Sequence, residues 1–153
     1  MPPRDLELND YSAVHAELDR LHRVGYDKAG TWDLAQVCDH LRFFVDQSLD
    51  GATFRVPWLI KVLFGRMVLR RILKTRKMRA GITTPQDPLP APGGDEAGAI
   101  ACFKAALARF EAHQGELHAS PFFGYLRPQQ WRDLHLIHCN HHLAYLIPKS
   151  VAV

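Results

Sequence analysis

The chain has 153 residues, 47% of them hydrophobic and 23% charged, with a formal net charge of +3. That is the balance of an ordinary globular protein long enough to bury a core, expected as one domain over residues 1–153, and it excludes an intrinsically disordered chain. Its three cysteines, Cys38, Cys102 and Cys139, are widely spaced with no CxxC pair, which excludes a disulfide framework or zinc ribbon and fits a reducing, cytoplasmic setting.

The first ten residues mix acids and bases without an apolar stretch and do not read as a signal peptide. From Asn9 or Asp10, either of which can cap a helix, Tyr11, Val14, Leu18 and Leu21 recur every three or four residues, so a first amphipathic helix is expected to run to Val24 and stop at Gly25. His15 and His22 fall close to that stripe and read as boundary residues packing on a neighbour. After the loop GYDKAG, Thr31 is a good N-cap for a second helix, WDLAQVCDHLRFFVDQSL, with a wide stripe of Leu34, Val37, Leu41, Phe44 and Val45 closed near Gly51. His40 lies on the stripe between Val37 and Phe44, facing inward, where an unpaired imidazole is costly and a partner is expected.

Pro57 opens WLIKVLFGRMVLRRILKTRKM, expected as one helix or two short ones broken near Gly65. Lys61, Arg66, Arg70 and Arg71 interrupt its apolar window, so it is a poor membrane span and no transmembrane segment is expected. Nine of the nineteen Lys and Arg lie between Arg55 and Arg79, and no Asp or Glu occurs from Gly51 to Gln86. Because these cations scatter around the helix, the segment is read as a solvated crossover packed across a bundle end by Trp58, Leu59, Leu63 and Phe64. The other reading is an electrostatic patch for an acidic substrate or lipid head group; missing interleaved aromatics argue against nucleic acid.

Ala80 to Gly94 is dense in Pro and Gly and reads as a long surface linker. Asp95 then caps a third long helix with the stripe Ile100, Phe103, Leu107 and Phe110, and His113 sits at its end. In the following loop His118, Phe122, Phe123 and Tyr125 are read as an aromatic plug at one end of a bundle. Pro128 suits the first position of the last helix, expected to run to Ile147 before Pro148 stops it.

Within that last helix four of the nine histidines fall in eight residues. At about 100° per residue Leu134, His138, His142 and Tyr145 share one face, and His138 and His142 can point their imidazoles at one place. His40 is the obvious third nitrogen. Three neutral imidazoles fill three positions around a divalent ion such as Zn, Ni or Fe and leave a fourth for water or substrate, the arrangement of a catalytic site; a hydrogen-bonded polar seam is the alternative. A bound water would become acidic and a bound thiol deprotonated. His135 shares the face one turn before His138 and His141 lies on the other flank, which suggests supporting or pocket-lining roles. Leu136, Leu143 and Ile147, on the back, need a partner too, which raises a homodimer.

Four long helices, an extra helical excursion between the second and third, and no alternating strand make an all-α bundle. WDLAQVCDHL, the PFFG at Pro121 to Gly124, the QQW at Gln129 to Trp131 and IHCNHHL together resemble an uncharacterised bacterial family within the DinB/YfiT-like superfamily of metal-binding four-helix bundles. That resemblance implies an up, down, down, up topology, a three-histidine site on His40, His138 and His142, and activity as a thiol-dependent transferase or metal-dependent hydrolase on a small molecule, possible substrates being a low-molecular-weight thiol or an anionic compound. It transfers no catalytic base. A non-catalytic helical module with a structural or vestigial site is the other function class.

Overall fold

A computed structural model of the chain describes residues 1–79 and 91–150. The architecture is mostly helical. The elements run in the order α1 (Tyr11–Val24), β1 (Tyr26–Lys28), α2 (Leu34–Asp50), α3 (residues 58–75), α4 (Glu96–Ala112), α5 (Pro128–Leu143) and β2 (Leu146–Pro148). Most of the expected linker, residues 80–90, lies outside the described residues.

Three helix starts follow local side-chain chemistry. Asp10 caps α1 by accepting from the Ala13 amide at 2.7 Å, and Asp95 caps α4 through the Gly98 amide at 3.1 Å. The start of α2 differs from expectation: Asp33, not Thr31, is the cap. Its carboxylate accepts from the Gln36 amide at 2.9 Å while the Gln36 side chain accepts from the Asp33 amide at 3.0 Å. This reciprocal pair silences two orphan donors at once, which a lone Thr cannot do. It leaves Trp32 outside the helix. Asp33 also accepts from the Gly93 amide at 2.8 Å, so Asp33→Ala is expected to cost about 1 to 2 kcal/mol of unfolding free energy in urea titration, the upper range for a lost cap; an unchanged midpoint would show that the cap is dispensable.

The stripes read from the sequence meet in one core. Val14, Leu18 and Leu21 of α1, Leu34, Val37 and Leu41 of α2, Phe103 and Leu107 of α4, and Trp131, Leu134 and Leu143 of α5 are all buried. The core is built chiefly by α1, α2, α4 and α5, while α3 contributes Leu69 with Ile72 and Leu73 packed against it.

Two parts of the chain depart from the sequence reading. The last helix ends at Leu143, not Ile147, and Leu146–Pro148 pairs antiparallel with Tyr26–Lys28, Tyr26 opposite Pro148 and Lys28 opposite Leu146. Proline disfavours helical backbone at Ile147, and pairing with Tyr26–Lys28 takes Leu146 to Pro148 out of the helix. The protein is therefore not purely α: it carries this small two-stranded sheet. The second departure is α3. Its chain enters as Trp58–Ile60, widens into a π-helical turn over Lys61–Gly65 and continues as an α-helix over Arg66–Thr75, so Gly65 widens the helix without breaking it. A Cβ on Gly65 would lie 2.5 Å from the Phe122 carbonyl oxygen, and only glycine lets α3 lie this close to the aromatic loop. Trp58, Leu59, Leu63 and Phe64, expected to pack across a bundle end, face solvent instead.

The N-terminal residues form a strap along α5. Asn140 holds the Leu8 backbone from both sides, accepting from its amide at 2.7 Å and donating to its carbonyl at 3.2 Å. Arg4 pairs with Glu17 and donates to the Leu143 carbonyl at 3.2 Å. Leu136 and Leu143, whose exposure would have called for a second subunit, are buried within the chain, and Ile147 is half-buried in β2. No helix among the described residues is long and apolar enough to cross a membrane.

Candidate metal centre

The middle of α2 and the last turns of α5 face each other, and three imidazoles close the gap between them. The ligand-capable nitrogens of His40, His138 and His142 lie within 4.8 Å of one another. His138 Nε2 is the shared member, 3.0 Å from His40 Nε2 and 3.0 Å from His142 Nε2. An imidazole nitrogen offers either one lone pair or one proton along a single in-plane direction. Of the two contacts at His138 Nε2, only one can therefore be a linear hydrogen bond. A divalent cation, by contrast, accepts all three lone pairs. Tetrahedral coordination at metal–nitrogen distances of about 2.0–2.1 Å places the nitrogens roughly 3.3 Å apart; the two pairs that include His138 are within a few tenths of an ångström of this, and the His40 and His142 nitrogens lie within 4.8 Å of each other.

The surroundings keep the His138 and His142 rings neutral. Burial pushes His138 well below the usual histidine range, with neighbouring His142 and His40 acting in the same direction. Burial, then His40 and His141, hold His142 at about 2. A metal would thus displace no proton from either ring at neutral pH, which removes the competition that protonation usually offers.

Aromatic packing fixes the rings. Trp32, displaced from α2 by the Asp33 cap, stacks on His142 with centroids 5.3 Å apart and planes 9° apart, and meets His40 edge-on at 4.9 Å. Phe44 lies edge-on to His138 at 4.7 Å from the other side. His40 and His142 remain half-buried while His138 is buried. The exposed edge of the cluster therefore lies on the side of His40 and His142.

The two other candidate histidines part company. His135 is turned into the core, ringed by Tyr11, Phe44, Phe110 and Trp131, and its Nδ1 shares a 2.9 Å hydrogen bond with the Tyr11 hydroxyl. Its link to the cluster is the Phe44 ring, which touches both His135 and His138. His141 lies against His142 and Tyr145, and burial followed by His40 lowers its pKa. It also lines a cavity of about 370 Å³ between the N-terminal strap, the end of α3 and α5, with Asp5, Glu7, Arg76, Lys77 and Tyr145 among the other lining residues. The N-terminal strap, which carries no periodic signal in the sequence, supplies one of the cavity's walls.

The remaining histidines keep away from the cluster. His22 contacts Glu96 at 3.3 Å across the α1–α4 boundary, His15 is half-buried on α1, and His113 meets the Glu116 carbonyl at 3.1 Å beyond α4. Asp39 and Asp133 are engaged elsewhere, Asp39 with Arg42 at 3.8 Å and Asp133 with Arg76 at 3.7 Å. His118 and Tyr125 of the aromatic loop line a second cavity, of about 750 Å³, with Arg55, Trp58 and Lys61, so part of this loop borders open space. Sequence reasoning missed Trp32 as a wall of the centre, although the DLAQ capping signature at Asp33 to Gln36 marks it as lying just outside the helix.

Residues 1–149 match the sequence model of a family described as a protein of unknown function, DUF1569. No curated protein and no solved structure matches the chain.

Proposed function

This chain belongs to the DUF1569 family, and from its own residues we propose that it is a single-domain, divalent-metal-binding protein whose open three-histidine site serves a small-molecule transferase or hydrolase reaction. The observation that carries this is the doubled 3.0 Å contact at His138 Nε2, which hydrogen bonding satisfies only once. His40, His138 and His142 are the proposed ligands. Zn, Ni and Fe all accept such a donor set. Bound there, the ion would supply Lewis acidity, making a coordinated water or thiol reactive near neutral pH.

The chain's own residues would do the rest. Trp32 and Phe44 hold the rings in orientation and keep one side of the centre dry. His141, one residue from a ligand and on the wall of the 370 Å³ cavity, is placed to contact a substrate there. The cavity offers both signs of charge through Asp5, Glu7, Arg76 and Lys77, which suits a zwitterionic thiol at least as well as a simple anion. The four long helices are read as a DinB-like bundle of up, down, down, up topology. Three unpaired cysteines, two of them buried, accord with a reducing, cytoplasmic setting.

The competing reading is a structural or vestigial site in a non-catalytic module. What favours it is that the segment after the last histidine is the apolar strand β2, which brings no charged side chain to the centre. Metal analysis of untagged protein decides the first step. Close to one equivalent of a divalent metal is expected, either as purified or after reconstitution, and its absence in both preparations would remove the metal reading. A bound ion whose spectroscopy, on cobalt substitution, shows no exchangeable position would select the structural module.

A further inference from the structure

The proposed metal centre makes no use of α3, and α3 carries the most unusual surface of the molecule. Eight large apolar side chains are exposed among the described residues, and six of them, Trp58, Leu59, Leu63, Phe64, Met67 and Val68, lie within eleven consecutive positions of this one segment. Trp58 is 68% exposed, Leu63 62% and Met67 61%. The opposite side of the helix anchors it: Gly65 is pressed on the Phe122 carbonyl, Leu69 is buried, and Ile72 and Leu73 are packed on the core. Leu59, Leu63 and Met67 recur every four residues. The π-helical turn over Lys61–Gly65 holds more residues per turn than an α-helix, which keeps that spacing closer to one line than uniform 100° steps allow. The apolar residues that the sequence suggested would pack across a bundle end thus form an outward row.

The cations follow the row. Arg70, Arg71 and Lys74, all exposed, come directly after Met67 and Val68, with Arg76, Lys77 and Arg79 beyond them. No carboxylate occurs anywhere from Gly51 to Arg79. The segment is thus apolar at its start and cationic at its end, with nothing on it to repel a phosphate.

We propose that α3 is a docking surface for an anionic lipid bilayer, on which Trp58, Leu59, Leu63, Phe64 and Met67 enter the interface while Arg70, Arg71 and Lys74 meet the head groups. A bilayer satisfies both halves of the surface, because apolar side chains sink to the acyl boundary while basic residues stay at phosphate level. Nucleic acid would neutralise the cations and leave the apolar row wet. A second copy of the chain would cover the apolar row but bring no carboxylate from its own α3 to meet Arg70, Arg71 and Lys74. The arginines that interrupt the apolar window keep the helix on the surface instead of across it.

Tryptophan emission provides a direct test. Trp131 is fully buried and Trp32 is packed on His40 and His142, so Trp58 is the indole open to a change of medium. Purified protein titrated with phosphatidylglycerol vesicles should shift its emission to the blue and cosediment with them. Phosphatidylcholine vesicles should give neither effect, and Trp58→Phe should cosediment without the shift. The double variant Leu63→Glu, Phe64→Glu alters exposed positions, so its thermal melt should match the parent while cosedimentation is lost. Should that variant fold poorly, Arg70→Gln with Arg71→Gln serves instead and should weaken binding about thirtyfold, from the attraction typical of each basic residue at an anionic surface. Absence of binding to anionic vesicles, equal binding to neutral ones, or a lipid-free dimer that the double variant converts to monomer would overturn the proposal. Repeating the titration after metal removal should leave the result unchanged, which separates this surface from the metal centre.

Discussion

His138→Ala is expected to abolish stoichiometric metal binding, and to do so more completely than any other single substitution in the chain. Its Nε2 is the nitrogen within 3.0 Å of both neighbours, so its loss leaves His40 and His142 as a pair with no shared third donor. Removing a group that merely orients a ligand lowers metal affinity by 10 to 100-fold in typical sites; removing the central ligand should exceed about a hundredfold. His15→Ala, on the same protein but on α1, should leave affinity unchanged. Competition with a chromophoric chelator at pH 7.5 gives the affinities directly. Tight binding retained by His138→Ala would move the ligand assignment to His135 or His141 and undo the proposed centre.

Acid should unfold the metal-free protein from below about pH 6.5, well above the range in which carboxylates titrate. Burial, then the charge of Arg132, push His135 down to about 3 from an ordinary value of 6.5. Burial lowers His138, His142 and His141 as well. In the unfolded chain these rings take up protons near 6.5, whereas in the folded chain they do not. The stability that their neutrality secures is therefore fully present above that value and is lost progressively as pH falls from 6.5 toward 3. At 1.36 kcal/mol per pKa step, His135 alone carries on the order of 5 kcal/mol, comparable with the whole stability of a marginal domain. Urea midpoints of chelator-treated protein should fall steeply between pH 6.5 and 4.5, and His135→Gln should flatten that slope. A midpoint constant over this interval would sink the description of His135 as a buried neutral group.

The helices that build the core were legible because each carries a clean apolar stripe and, in three cases, an acidic cap or a starting proline. His40, His138 and His142 were legible for a similar reason: one histidine on an inward stripe and two at one-turn spacing must meet if the stripes meet. What was hidden depends on contacts across the chain. Trp32 became a wall of the centre only because Asp33 and Gln36 cap each other and exclude it from α2. The strap of residues 1–10 has no periodicity, and it is held by Arg4 and by Asn140, a side chain that looked like an isolated polar group on a histidine-rich helix. The apolar row of α3 was visible as Trp58, Leu59, Leu63 and Phe64, but its outward direction was not, because which side of the helix packs is set by Gly65 against the Phe122 carbonyl and by Leu69 in the core.

The pairing of Tyr26–Lys28 with Leu146–Pro148 joins segments more than a hundred residues apart, and this sets an order of events during synthesis and folding. Closing so long a loop is slow and must precede the contacts it makes possible. His40 leaves the ribosome about a hundred residues before His138 and His142 do, so a growing chain holds one imidazole of the three until α5 has emerged. Any metal loading at the proposed centre would then follow the emergence of α5, and a product truncated before α5 would lack two of the three proposed ligands.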